Sequence, residues 1–267
     1  MILRRAIEHV RTQNWTAIAL DFVIVVVGIW VALMVGEWSQ GRQERLDLAR
    51  AERDINNEIS EAYYYAYERR AIAPCRKVRY AELAALLLTP DPNWPGSLGP
   101  YGDGILTKHR VLPPALRSSV RPWESLAWDT ELGKGTLDIM DPEKRRLLRG
   151  YFDSVKDAAR LQEEIYKIES RLQVLSHPLE MTMGDRLRYY DVLAEADAQS
   201  ALLELTAEQI MDQLEQGGLL VLGGEQRLAL QESLKERSAS VNEIYGDCVE
   251  PVELPLLQNA PAAAGDN

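Results

Sequence analysis

The sequence predicts an all-α protein: an N-terminal transmembrane helix followed by an elongated helical-bundle domain with one long Pro/Gly-rich loop. Three observations carry that reading. The stretch Ala17–Gly36 holds 20 residues with a single charge, Asp21. Long segments elsewhere repeat apolar residues at three- and four-residue spacing, the period of a helix with one buried face. Proline and glycine crowd into residues 90–122, a composition that no regular helix tolerates.

At about 1.5 Å rise per residue the apolar stretch spans roughly 30 Å as a helix, the thickness of a bilayer's hydrocarbon core. Trp15 and Trp38 flank it, as amphipathic rings do at a membrane interface. The chain then divides into a short N-terminus (1–16), the membrane helix (17–37), a helical domain (38–250) with its irregular loop, and a Pro/Ala-rich tail (251–267) expected to be disordered. Arg4, Arg5 and Arg11 precede the span and Arg42, Arg45, Arg50 and Arg53 follow it, so a count of basic residues does not orient it. The second set, however, opens a long domain and alternates with Glu37, Glu44, Asp47, Glu52 and Asp54. Long domains cross largely regardless of charge. The expectation is a single-pass protein of the inner membrane, N-terminus cytoplasmic and C-terminal domain periplasmic. A cleaved signal peptide is the competing reading; the basic start fits it, while the length of the apolar run and the lack of an A-x-A site do not.

Forty-one acidic against 30 basic side chains give a formal charge of −11. That balance argues against nucleic acid, whose phosphates need a basic surface, and against a domain lying on anionic lipid. With 46% hydrophobic residues a packed core is within reach and wholesale disorder is not expected. Cys75 and Cys248 are the two cysteines. In an exported domain they are a candidate disulfide closing most of the domain; two buried thiols are the alternative.

Glu37–Ala73 reads as an amphipathic helix that is open to running on directly from the membrane span, since only Ser39-Gln40-Gly41 interrupts it, and that is ended by Pro74. A second helix covers about Cys75–Leu88, closed by Pro90. Within the loop, short strand pairing is expected around 104–112. A short helix follows at Pro122–Leu132, with Gly133 as its stop. The clearest helix opens with Asp141 as N-cap and Pro142 in the first turn, and its apolar stripe continues to Leu175, with Pro178 as its bound. Helices at Leu179–Leu193 and Ala194–Leu205, a capping box Thr206-Ala-Glu-Gln209 opening another, and a last helix Glu225–Tyr245 complete the expected bundle.

Asp21, the run Val25-Val-Val-Gly-Ile-Trp-Val-Ala-Leu33, Glu37-Trp38, Arg42 and Arg45 resemble the opening of a broad group of uncharacterised bacterial single-span membrane proteins. Their signature is an acidic residue, a Gly-Ile apolar run, a Trp and a basic helix. Trp123-Glu-Ser-Leu126, Gly135-Thr-Leu137, Met140-Asp-Pro-Glu143 and Arg146-Leu-Leu-Arg149 are similar to their central part. Met34 and Gly36 depart from the pattern, which more often has polar residues there. The resemblance implies an anchored helical domain and brings no reaction, ligand or catalytic residue.

No motif points to chemistry. His9, His109 and His177 stand apart, without zinc-ligand spacing, and no nucleophile elbow, phosphate-cradling loop or C-x-x-C occurs. Ser118-Ser119 reads as turn chemistry, and Glu131 and Glu163-Glu164 as solvated helix faces. We therefore expect no catalytic residue, no metal and no cofactor; a hydrolase without a recognisable motif is the minor alternative. Two clusters remain as candidates. Asp21, Gly28, Ala32 and Gly36 fall on one side of the span as a small-residue stripe, which suits close helix–helix approach, against the plainer reading that Asp21 reaches the headgroups. Tyr63, Tyr67 and Arg70 share a helix face as a candidate ligand or partner cluster, with Tyr64 and Tyr65 turned away; the plainer reading is tyrosines that cover the bundle with hydroxyls in water. The function expected is a membrane-anchored, non-enzymatic interaction or scaffold protein. Its partners are the lipid bilayer and either its own copy or another membrane protein. The alternative is an extracytoplasmic ligand-sensing domain working through a membrane partner.

Overall fold

In the computed structural model the described residues are 15–96, 120–219, 229, 232, 233, 236 and 248–250. They form five α-helices and almost no strand. Helix α1 runs from Trp15 to Ala71 without a break, so the amphipathic segment runs on directly from the apolar stretch through Ser39-Gln40-Gly41. The chain divides into two units between Arg50 and Ala51.

In the first unit the side chains from Gln40 to Arg50 form a ladder of local pairs. Gln40 donates to Glu44 (2.9 Å), Gln43 to Asp47 (3.0 Å) and Arg50 to Asp47 (3.0 Å). Such i,i+3 and i,i+4 contacts support an exposed helix by a few tenths of a kcal/mol each.

In the second unit the end of α1 is a core element. Ile55, Ile59, Ala62, Tyr63, Ala66 and Ala71 are buried, and so are Glu68 and Arg69. Helix α2 (Ala73–Leu87) follows after Ile72. Pro74 therefore does not end α1. It sits in the first turn of α2, where its missing N–H has no partner to lose. Near the far end of α2 lies the small two-stranded ladder, β1 (Asn93–Trp94) antiparallel to β2 (Leu179–Glu180), with Trp94 opposite Leu179. Leu179 and Glu180 were expected to be helical. They are extended because Trp94, buried and donating from Nε1 to the Leu175 carbonyl at 2.8 Å, fixes the approach of the two segments. The pairing expected at 104–112 lies outside the described residues.

Helix α3 (Leu126–Lys134) ends at Gly135, not Gly133; Gly135 takes the left-handed conformation at φ 76° that closes the helix. A 3-10 turn, Thr136–Ile139, leads to helix α4 (Pro142–Ser170). Asp141 caps α4 by accepting from the Lys144 N–H at 2.9 Å, as the sequence predicts. The α-helix stops at Ser170, short of Pro178. A 3-10 turn, Gln173–Ser176, keeps Leu172 and Leu175 buried beyond that point, so the apolar stripe outruns the helix.

Helix α5 (Met183–Gly217) is one uninterrupted element and pairs with α4 over its length. The expected breaks at 193–194 and 205–206 are absent. The capping box is at its true start, where the Thr182 hydroxyl accepts from the Asp185 N–H and Asp185 accepts from the Thr182 N–H. Thr206 instead donates to the Leu202 carbonyl one turn back (2.9 Å), the usual role of a threonine inside a helix. Of the last expected helix only Ala229, Glu232, Ser233 and Glu236 are described, all helical. The tail 251–267 lies outside the described residues.

Candidate functional site

The sequence nominates the span first. Leu20, every large apolar residue from Phe22 to Val35, and Trp38 have 46–69% of their surface exposed. Gly28 and Gly36 have open space where a Cβ would be, and Ala32 is exposed. Gly28, Ala32 and Gly36 are thus uncovered by the described residues. Trp15 and Asp21 lie in the same helix by backbone. Trp38 has the Arg42 guanidinium 5.9 Å from its ring centre, a basic group over an aromatic face just beyond the apolar stretch. One helix is thus long and apolar enough to cross a membrane.

The tyrosine cluster is engaged within the bundle. Tyr63 is fully buried and Tyr67 nearly so. The Tyr63 hydroxyl donates to Glu215 on α5 (3.3 Å), and Arg70 pairs with Glu208 (3.4 Å). Burial, then the nearby Glu215 carboxylate, pushes the Tyr63 hydroxyl well above the usual phenol range, so it stays protonated. Glu215 in turn is raised, first by its own partial burial. Tyr64, expected to turn away, is buried as well, and Tyr65 packs edge-on against Trp123 with ring centres 5.8 Å apart. The last turns of α1 are buried over most of their surface, with Tyr65 and Arg70 only partly covered.

Sequence reasoning missed the buried charges. Glu68 accepts two bonds from Arg121 (2.8 and 2.9 Å), tying the end of the long loop to α1. Gln162 of α4 clamps the same residue's backbone from both sides, accepting from the Arg121 N–H and donating to its carbonyl. Arg76 of α2 binds Glu204 (2.8 Å) and Asp197 (2.6 Å) on α5; burial disfavours its charge, but the two carboxylates outweigh that and hold its proton more tightly than usual. Tyr80 donates to the buried Glu169 (2.8 Å). Arg69 is the extreme case. Burial and then the neighbouring Arg76 lower its pKa, while Glu204 and Glu169 act the other way. Arg186 donates to the carbonyls of Leu86 (2.8 Å) and Asp91, closing the C-terminal end of α2, and its guanidinium lies over the Trp94 ring. The one signal in the sequence was position: Ala62, Ala66 and Arg69 continue the apolar three/four spacing, which places a charge where the stripe is buried.

The buried Nε and Nη2 of Arg69 have no hydrogen-bond partner among the described residues, while Glu68 with Arg121, and Arg76 with Glu204 and Asp197, are paired across elements, which fixes packing. Glu58 does similar work, accepting from the Ala127 N–H (2.6 Å) and so capping α3 from another helix. His177 ends a 3-10 turn; His9, His109 and Ser118-Ser119 lie outside the described residues. Among the described residues no cluster of three or more His, Cys, Asp or Glu is placed to hold a metal. A shallow groove of about 480 Å³ opens beside Arg171, Asp185, Arg188, Tyr189 and Glu195, away from the tyrosines. Its Arg171 and Glu195 already pair across it at 2.9 Å. Cys75 and Cys248 are joined by a disulfide, their Cα atoms 5.0 Å apart and 173 residues apart in sequence.

No protein-family model, curated protein or solved structure matches this chain.

Proposed function

We propose that the protein is a membrane-anchored, non-enzymatic helical interaction module of the inner membrane, with its C-terminal domain on the periplasmic side. It acts on a second copy of itself or on another membrane protein. One observation carries this reading: the large apolar residues of α1 from Leu20 to Trp38 are uncovered by the described residues. In water so much exposed apolar surface drives association; a bilayer, or a helix within one, is the environment that suits it. The Cys75–Cys248 disulfide supports the periplasmic side, since cytosolic thiols are kept reduced. The resemblance to bacterial single-span proteins points the same way.

The test is alkaline carbonate extraction of membranes, together with an impermeant maleimide applied to intact cells with and without reductant. The reading requires the chain in the pellet and labelling only after reduction. A soluble chain removes the anchor, and labelling only after permeabilisation places the domain in the cytoplasm. The groove at Arg171 and Tyr189 favours a second reading, an extracytoplasmic ligand-sensing domain. A small molecule retained by the purified protein, and lost on Tyr189→Ala, would support it.

A further inference from the structure

We propose that the exposed face of α5 between Asp191 and Asp212 docks a basic amphipathic helix of another protein, one whose apolar stripe is flanked by lysine or arginine. This rests on the reading of the chain as an interaction module and names the chemistry of its partner. Helix α5 buries Leu193, Ala196, Leu203, Ala207 and Ile210 on its inner side. The outer side of a helix in water is normally polar. Here it carries Ala194, Ala198, Ala201, Leu202 and Leu205, all exposed and at helical spacing along a single face. Leu202 and Leu205 keep 48% and 50% of their surface open. No charged residue falls on that face for about three turns. Single exposed leucines are ordinary on a protein surface, whereas a continuous stripe with a polar edge marks a place where something packs.

The edge of the stripe decides which partner fits. Asp191 and Asp212 stand in line with it at its two ends, both exposed and without an ion pair among the described residues. Asp197 and Glu208 border it on the side of α2 and α1, and Glu195 on the side of α4; each of these side chains is about half exposed. The neighbouring guanidiniums are already engaged: Arg76 with Asp197 and Glu204, Arg70 with Glu208, Arg171 with Glu195, and Arg188 with Asp185. Carboxylates are in excess, so the edge is negative. The α5 face of a second copy would set carboxylates against carboxylates, and like charges facing each other across an interface oppose it. A helix with lysine or arginine on both flanks of its apolar stripe meets leucine with leucine and carboxylate with cation. The three alanines keep the ridge low, which lets such a helix lie close along α5.

The experiment is fluorescence anisotropy of a labelled synthetic peptide, leucine and alanine on one helical face and lysine on both flanks, titrated with the full chain in uncharged dodecyl maltoside micelles. A twin peptide carries glutamate in place of lysine. The lysine peptide should bind at least about tenfold more tightly than its twin, and less tightly as salt is raised. Ala198→Lys with Leu205→Lys, at two exposed positions, should weaken binding by about tenfold or more while helical circular dichroism is unchanged. Asp191→Asn with Asp212→Asn leaves the apolar stripe intact and should weaken it by about threefold. Peptide taken up by the micelle is common to parent and variants and drops out of the difference. Three results overturn the proposal: no difference between the parent and either variant, equal binding of the two peptides, or a parent that sediments as a dimer and an Ala198→Lys, Leu205→Lys chain that sediments as a monomer, which gives the face to a second copy. Carbonate extraction of the parent tests the anchored module separately. A chain in the pellet that ignores the peptide strikes this surface alone, and a soluble chain that binds it strikes the anchor alone.

Discussion

The two ends of α1 invert the usual relation between composition and exposure. From Phe22 to Val35 the helix is apolar and exposed; from Glu58 to Ala71 it carries Glu58, Glu68, Arg69 and four tyrosines, and most of it is buried. Backbone geometry is the same at both ends. The difference lies in what surrounds each: the first is uncovered by the described residues, and in the second Glu58, Tyr63 and Glu68 meet partners on other elements. Apolar character therefore predicts burial only when the surrounding medium is known. A polar residue is buried where a partner has been supplied.

The largest effect expected breaks the apolar end. Val26→Arg with Ile29→Arg places two cations where the span is most apolar, at a cost of about 5–7 kcal/mol on the insertion scale. The chain should leave the carbonate-resistant pellet; retention there would mean that this stretch is not a span. Ile59→Arg, at the buried end, should do the reverse, keeping the chain in the membrane fraction while cooperative unfolding of the domain disappears.

Next comes the pairing that makes the second end burial-competent. Arg121→Ala leaves the Glu68 carboxylate, only 3% exposed, without its cation and should cost about 3–5 kcal/mol, read as a fall in the urea midpoint. Replacing both, Glu68→Leu with Arg121→Met, should restore most of that loss; no recovery would mean that Arg121 acts by something other than neutralising Glu68.

A smaller effect depends on pH. The Glu215 carboxyl is raised from its usual 4.5, first by burial and then by Asp212, with Tyr63 and Arg70 opposing. The folded chain holds this proton more tightly than the unfolded one. Its contribution is therefore fully present below the unfolded value and is lost as pH rises through the folded one. Glu215→Gln should be more stable than the parent at pH 7, by about 0.5 kcal/mol, and equal to it near pH 4. The same urea-midpoint difference at both pH values would contradict the assignment.

The smallest effect belongs to the ladder of exposed pairs. Asp47→Ala removes its contacts with Gln43 and Arg50 and should lower stability by no more than about 0.5 kcal/mol, vanishing in high salt. A larger, salt-independent loss would show that this face of α1 is covered in the intact protein.

Legibility in the sequence follows the same division. The apolar stretch, the Asp141 cap and the stripe of α4 could be read because each signal is local: a run of one chemistry, a capping side chain, a period of three to four. Helix continuity was harder. Thr206 and Thr182 both stand three residues before a group that can complete a capping box, yet only Thr182 starts a helix. Buried neighbours at Leu203, Ala207 and Ile210 carry α5 straight through Thr206. The β1–β2 ladder was invisible because its strands are two residues long and held by Trp94. The tyrosine cluster is legible as a pattern and its burial is not, since helix periodicity gives the faces of α1 but not how many of them are covered.

By itself the sequence determined that the chain is helical, that it carries one membrane-length apolar helix, and that it lacks any catalytic motif, because composition and period act within a few turns. Tertiary structure alone decided that Arg69, Arg76, Glu68 and Glu169 are buried, that Glu58 caps a helix distant in sequence, and that Val249 and Cys248 close the corner at Ala71. The physical reason is that a buried charge or an orphan helix end is tolerable only with its partner in place, and those partners lie tens to nearly two hundred residues away along the chain.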